Sequence, residues 1–334
     1  MDERVHELSD RRVLVTGGSG FIGSHLVAAL VDIGADVHVL TSTVSSVYPH
    51  RLTGLRASIA LHEGNLTDRT AMRALVREAR PDIVFHLGAY THVGKSWDRI
   101  DECVQSNIQG TVNLLEALDG SGYSRFINTG TSEIYGAIEV PFHEDDRPAP
   151  VSPYAVSKHA AEEFCRLGST GKGWPVVRVR PFNPYGPGQS PDRVIPEVIV
   201  RALRREPVQM TKGTQTREFN YVTDLVEGFL LLGVVPGIEG QLINLGNGEE
   251  VAIADLVRSL LAVMGDPVEA DMGALPDRPI EIWRMFCDSR RARDLLGWAP
   301  RHDLRSGLAA TVNWYRTELA DPASPFVPGF ARGR

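Results

Sequence analysis

Apolar positions in the first half of the chain recur in two alternating rhythms. Arg12–Thr16 is a short β-branched run, and Phe21–Ile33 then places Ile22, Leu26, Ala29, Leu30 and Ile33 at helical spacing. Asp36–Leu40, Asp82–Leu87, Arg125–Thr129 and Val176–Arg180 read as further strands. Between them, Arg69–Ala79, Ile100–Leu118 and Tyr154–Leu167 read as helices. Strand-helix alternation of this kind predicts a doubly wound parallel sheet covered on both faces.

After Arg180 the pattern breaks. Pro181, Pro184, Pro187, Pro191 and Pro196 crowd one stretch, so loops dominate there. A helix at Arg193–Arg205, short strands and a helix at Leu256–Met264 follow. This tail is too small to stand alone. We expect residues 181–334 to form mainly a smaller substrate-binding lobe over a dinucleotide-binding domain of residues 1–180, with a segment of about 214–247 returning to the latter. In open α/β sheets, ligands bind at the carboxyl ends of the strands, so the cleft is expected there.

Composition narrows the partners. The 334 residues are 43% hydrophobic and 23% charged, an ordinary globular balance. Net charge is −7 with no long basic run, which argues against nucleic acid and leaves room for a few arginines around a phosphate ligand. The start, Met1-Asp2-Glu3-Arg4, is charged where a secretory segment is apolar, and no stretch approaches the ~20 apolar residues of a membrane helix. The cysteines Cys103, Cys165 and Cys287 are odd in number and far apart. They suit a reducing cytoplasm and form neither a zinc spacing nor a redox pair. The ten histidines have no metal spacing either, so no metal is expected.

Candidate chemistry begins at Thr16-Gly17-Gly18-Ser19-Gly20-Phe21-Ile22-Gly23, a glycine turn between the first strand and the first helix. Gly17 permits the tight turn, Gly20 lets the backbone approach a pyrophosphate, and Gly23 lets helix and strand pack closely. The helix N-terminus then faces negative charge. A second pattern, Tyr154-x-x-x-Lys158, puts a phenol and an ammonium on one helical face. Proximity of the lysine is expected to favour the phenolate and make Tyr154 a usable base.

The two motifs together resemble the extended short-chain dehydrogenase/reductase superfamily and its NAD-dependent epimerase/dehydratase branch, over roughly Arg11 to Tyr315. The resemblance implies a Rossmann-type sheet, bound NAD or NADP, and a nucleotide diphosphate sugar as substrate. It places Gly17, Gly20, Phe21, Ile22, Gly23, Thr41, Asn65, Leu66, Leu87 and Ala89 against the dinucleotide, with Tyr154 and Lys158. Thr41, Ser42 and Thr43 stand where a carboxylate would select NAD, so the choice between NAD and NADP stays open. Thr131, after the strand Arg125–Thr129, completes the catalytic set by resemblance.

Glu133 narrows the class. A carboxylate two residues after the threonine resembles the nucleotide-sugar 4,6-dehydratases of the GDP-mannose and UDP-N-acetylglucosamine types. Oxidation at carbon 4 acidifies the carbon 5 proton, which a carboxylate can remove while water leaves from carbon 6. The dTDP-glucose type carries Asp-Glu here; this chain has Ser132 in place of the Asp, so Glu133 is expected to act as both base and acid.

On the substrate side, Asn183 in Arg180-Pro181-Phe182-Asn183-Pro184-Tyr185-Gly186-Pro187 and Arg217 in Thr216-Arg217-Glu218-Phe219 resemble sugar- and diphosphate-binding segments. Arg278 is a second arginine for the diphosphate. His92 and Lys95, in the loop after Asp82–Leu87, are candidate substrate contacts. The helices Ile100–Leu118 and Tyr154–Leu167 resemble the superfamily's dimer interface, so a homodimer is expected. Carbon 4 epimerisation, decarboxylation of a UDP-uronic acid and a non-catalytic dinucleotide-sensing role are the alternatives. Gly188 after Tyr-Gly-Pro counts against the decarboxylase, and the retained Thr131, Tyr154 and Lys158 count against the sensor.

Overall fold

Seven parallel strands form one sheet: β1 (Arg12–Thr16), β2 (Asp36–Thr41), β3 (Ile59–Glu63), β4 (Ile83–His86), β5 (Arg125–Thr129), β6 (Val176–Pro181) and β7 (Leu242–Leu245). Their spatial order is β7-β6-β5-β4-β1-β2-β3. The computed structural model describes residues 2–42, 49–277, 280–321 and 324. The strand order reverses between β1 and β4, which opens a crevice at their carboxyl ends, as in a Rossmann sheet.

Side chains alternate across the sheet. Val13 and Val15 of β1 pack with Leu26 and Leu30 of α1 (Phe21–Ile33). Leu14 points the other way, to Met72 and Leu75 of α2 (Arg69–Ala79). The next helix, α3, runs through Ile100–Glu102, a π-helical stretch Cys103–Gln109 and Gly110–Leu118. Then comes α4 (Pro153–Lys172). Both faces are covered, the condition under which an all-parallel sheet is stable.

Three elements escaped the periodicity. Edge strand β3 is half-buried with no in/out contrast over Ile59–Leu61. β7 is buried throughout and pairs with β6, from Leu242 beside Arg178 to Leu245 beside Pro181. α6 (Val222–Val234) is apolar almost all round because it lies under the sheet beside α1, which erases an amphipathic pattern.

A second, smaller hydrophobic core packs α5 (Val194–Leu203), α7 (Ile253–Met264) and α8 (Leu304–Ala320) around Ile195, Val198, Leu256, Leu260, Leu308 and Tyr315. Among the described residues, no helix is long and apolar enough to cross a membrane, and no group of three His, Cys, Asp or Glu side chains is placed to hold a metal ion.

Candidate active site

The glycine turn is closed by backbone contacts. Gly20 N–H donates to the Gly17 carbonyl at 2.9 Å. Gly17 has φ +71°, and a Cβ there would stand 2.7 Å from Gly88 N. A Cβ on Gly23 would stand 2.2 Å from the Gly17 oxygen. The turn therefore admits no side chain at either end, and Gly20 caps α1 with its N-terminus facing the crevice. These residues fit a dinucleotide pyrophosphate.

The neighbours place the other expected contacts. Phe21 and Ile22 open α1, both half-buried. Leu87 N–H donates to the Thr16 carbonyl at 3.1 Å, which sets Leu87-Gly88-Ala89 beside the turn. Thr41 ends β2 and accepts from Gly64 N–H at 2.9 Å. The Leu66 side chain fills the space beside Gly88 and Gly110. Asn65 is exposed, and its Oδ1 accepts from Thr67 N–H at 3.0 Å.

The residues expected to react assemble at the start of α4. Ser152 caps the helix through Ala155 N–H at 3.1 Å, and Pro153 opens it. Tyr154 and Lys158 follow one turn apart, 8% and 4% exposed. Thr131 leaves β5 with extended backbone, and its Oγ1 accepts from Glu133 N–H at 3.3 Å. Thr131 also hydrogen-bonds Tyr154. Thr131, Glu133 and Tyr154 thus come together, with Lys158 buried one helical turn further along α4.

One expectation needs correcting. The helical spacing predicted a phenol acidified by its lysine. In the structure burial pushes the Tyr154 pKa up to about 12. The Thr131 hydrogen bond and the charge of Arg193 pull it down, and the Glu133 carboxylate pushes it further up. Lys158 meets the same difficulty from the other side: burial holds it down at about 8, against the opposing pull of Cys165 and Glu162. Two buried groups are each driven toward neutrality, and burial outweighs every opposing influence on them.

A buried hydrogen-bond chain joins the turn to this pair. Gly88 N–H donates to Thr16 Oγ1 at 3.0 Å, and Thr16 Oγ1 lies 2.8 Å from His86 Nδ1. His86 Nε2 lies 2.9 Å from Thr111 Oγ1, whose hydroxyl donates to the Asn107 carbonyl at 2.6 Å. The Asn107 amide donates to Ser157 Oγ at 2.9 Å, and Ser157 donates to the Tyr154 carbonyl at 2.8 Å. Thr111 has given away its only hydrogen, so His86 carries its proton on Nε2 and accepts from Thr16 at Nδ1. Burial holds its pKa down at about 3, with the Lys158 charge adding to the effect. The π-helical stretch of α3 delivers Asn107, a common use of such a bulge.

The substrate-side residues lie around this pocket with partners of their own. Ser132 is buried and its hydroxyl faces the Met285 sulfur at 3.4 Å. Asn183 donates to the Glu218 carbonyl at 2.8 Å. Arg217 is held by the Thr216 and Ile282 carbonyls at 2.7 and 2.6 Å and by Glu281 at 2.5 Å. His92 pairs with Asp192 at 3.4 Å, and Lys95 is exposed. Arg278 lies outside the described residues, as does Thr43. Sequence reasoning missed Arg193, His86 and Glu281. None sits in a motif; the fold alone brings them to the cleft.

The profile of the NAD dependent epimerase/dehydratase family matches residues 13–246. The chain is similar to the dTDP-D-glucose 4,6-dehydratase of Homo sapiens, 32% identical over 317 residues, covering 92% of this chain and 90% of that protein. The solved UDP-glucose 4-epimerase of Thermotoga maritima with UDP-glucose superimposes with a TM-score of 0.86 at 31% identity, over 92% of this chain and 99% of that one. DesIV, the dTDP-glucose 4,6-dehydratase of Streptomyces venezuelae solved with NAD, gives 0.83 at 30% identity, over 92% and 98%.

Proposed function

The chain belongs to the NAD-dependent epimerase/dehydratase family, and from that premise we propose that it is a nucleotide-sugar 4,6-dehydratase. One observation carries the reading. Glu133 follows Thr131 on the turn that also supplies the hydrogen-bond partner of Tyr154, so a carboxylate joins the Thr-Tyr-Lys set.

Each group has a task. Thr131 holds the carbon 4 hydroxyl of the sugar, and Tyr154, once ionised to the phenolate, takes its proton. Lys158 anchors the nicotinamide ribose. Held by the glycine turn and Lys158, NAD would supply the hydride acceptor for carbon 4 and the donor for carbon 6. The carbon 4 ketone acidifies carbon 5, and Glu133 removes that proton. The released electron pair forms the carbon 5–carbon 6 double bond as the carbon 6 hydroxyl departs, taking the proton from Glu133 to leave as water. The proton that Tyr154 drew from oxygen 4 ends on carbon 5. The sugar loses one water and undergoes no net oxidation.

Asn183 and Arg217 support the diphosphate sugar in this reading, with Arg217 fixed in advance by Glu281. Apolar side chains on α3 and α4 support a homodimer: Ile100, Val104, Val156, Phe164 and Leu167 are all exposed, with Trp97 beside them. Three buried free thiols support a reducing cytoplasm.

The test is turnover on a panel of UDP-, GDP-, dTDP- and CDP-hexoses, read by mass spectrometry without added reductant. We expect a product lighter by about eighteen mass units, one water. A product of unchanged mass inverted at carbon 4, or release of carbon dioxide, overturns the reading.

A further inference from the structure

Two side chains outside the reacting set tie the glycine turn to the substrate lobe. Arg51, on the 3₁₀ segment Pro49–Ser58 after β2, donates from Nη1 to the Ser19 carbonyl at 3.3 Å and from Nη2 to the Gly188 carbonyl at 2.5 Å. His25, in the second turn of α1, places Nε2 at 2.9 Å from the Pro187 carbonyl. A carbonyl only accepts, so Nε2 carries the hydrogen. The ring stands edge-on to Phe21 at 5.7 Å between centroids.

The segment they grip belongs to the other lobe. It leaves β6 and must pass the carboxyl ends of β5 and β4 to reach α1 beside β1. Its own fastenings are on the lobe side. Pro184–Tyr185 pairs with Asn220–Tyr221, and Tyr315 donates to the Gln189 carbonyl at 2.5 Å. Gly188 has φ +77°, which turns the carbonyls of the bend outward from the regular strand direction. The strand ends it crosses are where a dinucleotide lies in this fold.

We propose that Arg51 and His25 act as a clasp that closes residues 187–188 over the glycine turn and sets how long the dinucleotide stays bound. The purpose rests on the dehydratase reading. A reaction that returns its own hydride stalls if the reduced cofactor escapes between the two transfers. The geometry stands without that reading. Opening the cleft along this edge breaks two hydrogen bonds, one of them from a charged guanidinium that also holds the glycine turn through Ser19. All three acceptors are main-chain carbonyls, so removing the side chains opens the clasp while the loop sequence stays intact.

The experiment is dissociation of NADH from the holoenzyme, chased with excess NAD, followed by stopped-flow fluorescence with no sugar nucleotide present. Arg51→Ala is expected to release NADH at least roughly tenfold faster, equivalent to about 1.4 kcal/mol. His25→Ala should give a smaller acceleration, and the double variant the largest. Arg51→Lys should fall between, because a single ammonium cannot span both carbonyls as a fork does. Rates within about twofold of wild type for folded Arg51→Ala and for the double variant overturn the clasp. If Arg51→Ala does not fold, Arg51→Lys and His25→Gln carry the test, and unchanged release in both overturns it. Failure to remove water from any sugar nucleotide sinks the dehydratase reading and leaves this measurement standing.

Discussion

Alanine at Gly23 sets two elementary effects against each other. Gly23 is the third residue of α1. In an open helix, alanine there gains about 0.5–1 kcal/mol over glycine. The added Cβ, however, stands 2.2 Å from the Gly17 oxygen, 2.9 Å from Gly18 Cα and 3.0 Å from Gly17 C. Ordinary contact between such atoms lies at about 3.5 Å, so the turn must retreat by about 1 Å. It has nowhere to go: Gly17 already abuts Gly88 N and Leu87 C, and its N–H is bonded to the Leu40 carbonyl at 3.3 Å. Overpacking against fixed backbone costs about 1–3 kcal/mol, which exceeds the propensity gain.

Gly20→Ala is the control. Its Cβ meets only the Gly17 oxygen, at 3.0 Å, and a few tenths of an ångström relieve it. That methyl instead stands where the backbone approaches the pyrophosphate. Scanning fluorimetry of the cofactor-free protein and titration with NADH separate the two effects. Gly23→Ala should lower Tm by a few degrees and weaken NADH at least roughly tenfold. Gly20→Ala should leave Tm within about 1 °C while weakening NADH comparably. A Gly23→Ala protein with unchanged or higher Tm, or a Gly20→Ala protein that binds NADH like wild type, refutes the reasoning.

Four further outcomes follow from the same structure. Glu133→Gln should bind cofactor normally and lose about 10²–10⁴-fold in water elimination, read as product formation in the mass-spectrometric assay. Arg180 and Glu162 form a buried pair at 2.5 and 3.0 Å, both side chains under 3% exposed; Arg180→Met should cost about 3–5 kcal/mol in urea unfolding, and adding Glu162→Gln should recover part of it. His86, held by burial at about 3 against the ordinary imidazole value of 6.5, contributes stability that is full above pH 6.5 and is lost as pH falls toward 3; wild type should lose about 1.4 kcal/mol per pH unit from this group, and His86→Gln should flatten the slope between about pH 6.5 and 4.5. Phe164→Glu on the exposed face of α4 should halve the mass seen by light scattering if that face is the dimer interface, and an unchanged mass removes it from consideration.

Legibility in the sequence followed the reach of each cause. β1, α1, α2 and β5 were legible to the residue because their boundaries are local: Gly20 caps one helix, Asp68 caps another through Thr70 and Ala71 N–H, and a short apolar run marks each strand. The contents of the glycine turn were legible because an absent side chain is itself the functional feature. α6 was not, since burial on all sides removes the contrast that helical periodicity needs. Arg51 and Arg193 were illegible for a different reason. A surface arginine and one that reaches a distant carbonyl look alike until the chain is folded. The pair Tyr154 and Lys158 was legible by spacing, but spacing carries no information about desolvation, which pushes both groups toward neutrality.

That reversal bears on the order of events in the pocket. The Glu133 carboxylate raises the Tyr154 pKa, so phenolate and carboxylate disfavour each other at close range. A 4,6-dehydratase needs both as bases, though not at the same moment. Once Tyr154 has taken the oxygen 4 proton it is neutral, and Glu133 can then be charged without facing a second anion. The electrostatic coupling thereby favours oxidation at carbon 4 before proton removal at carbon 5, the order the chemistry requires. The same coupling means that Glu133→Gln, while blocking elimination, removes a negative charge beside the phenol. Its pKa must fall, so the pH at which carbon 4 oxidation begins should shift downward in that variant. An unchanged onset would place Glu133 outside the electrostatic reach of Tyr154 and dissolve the ordering.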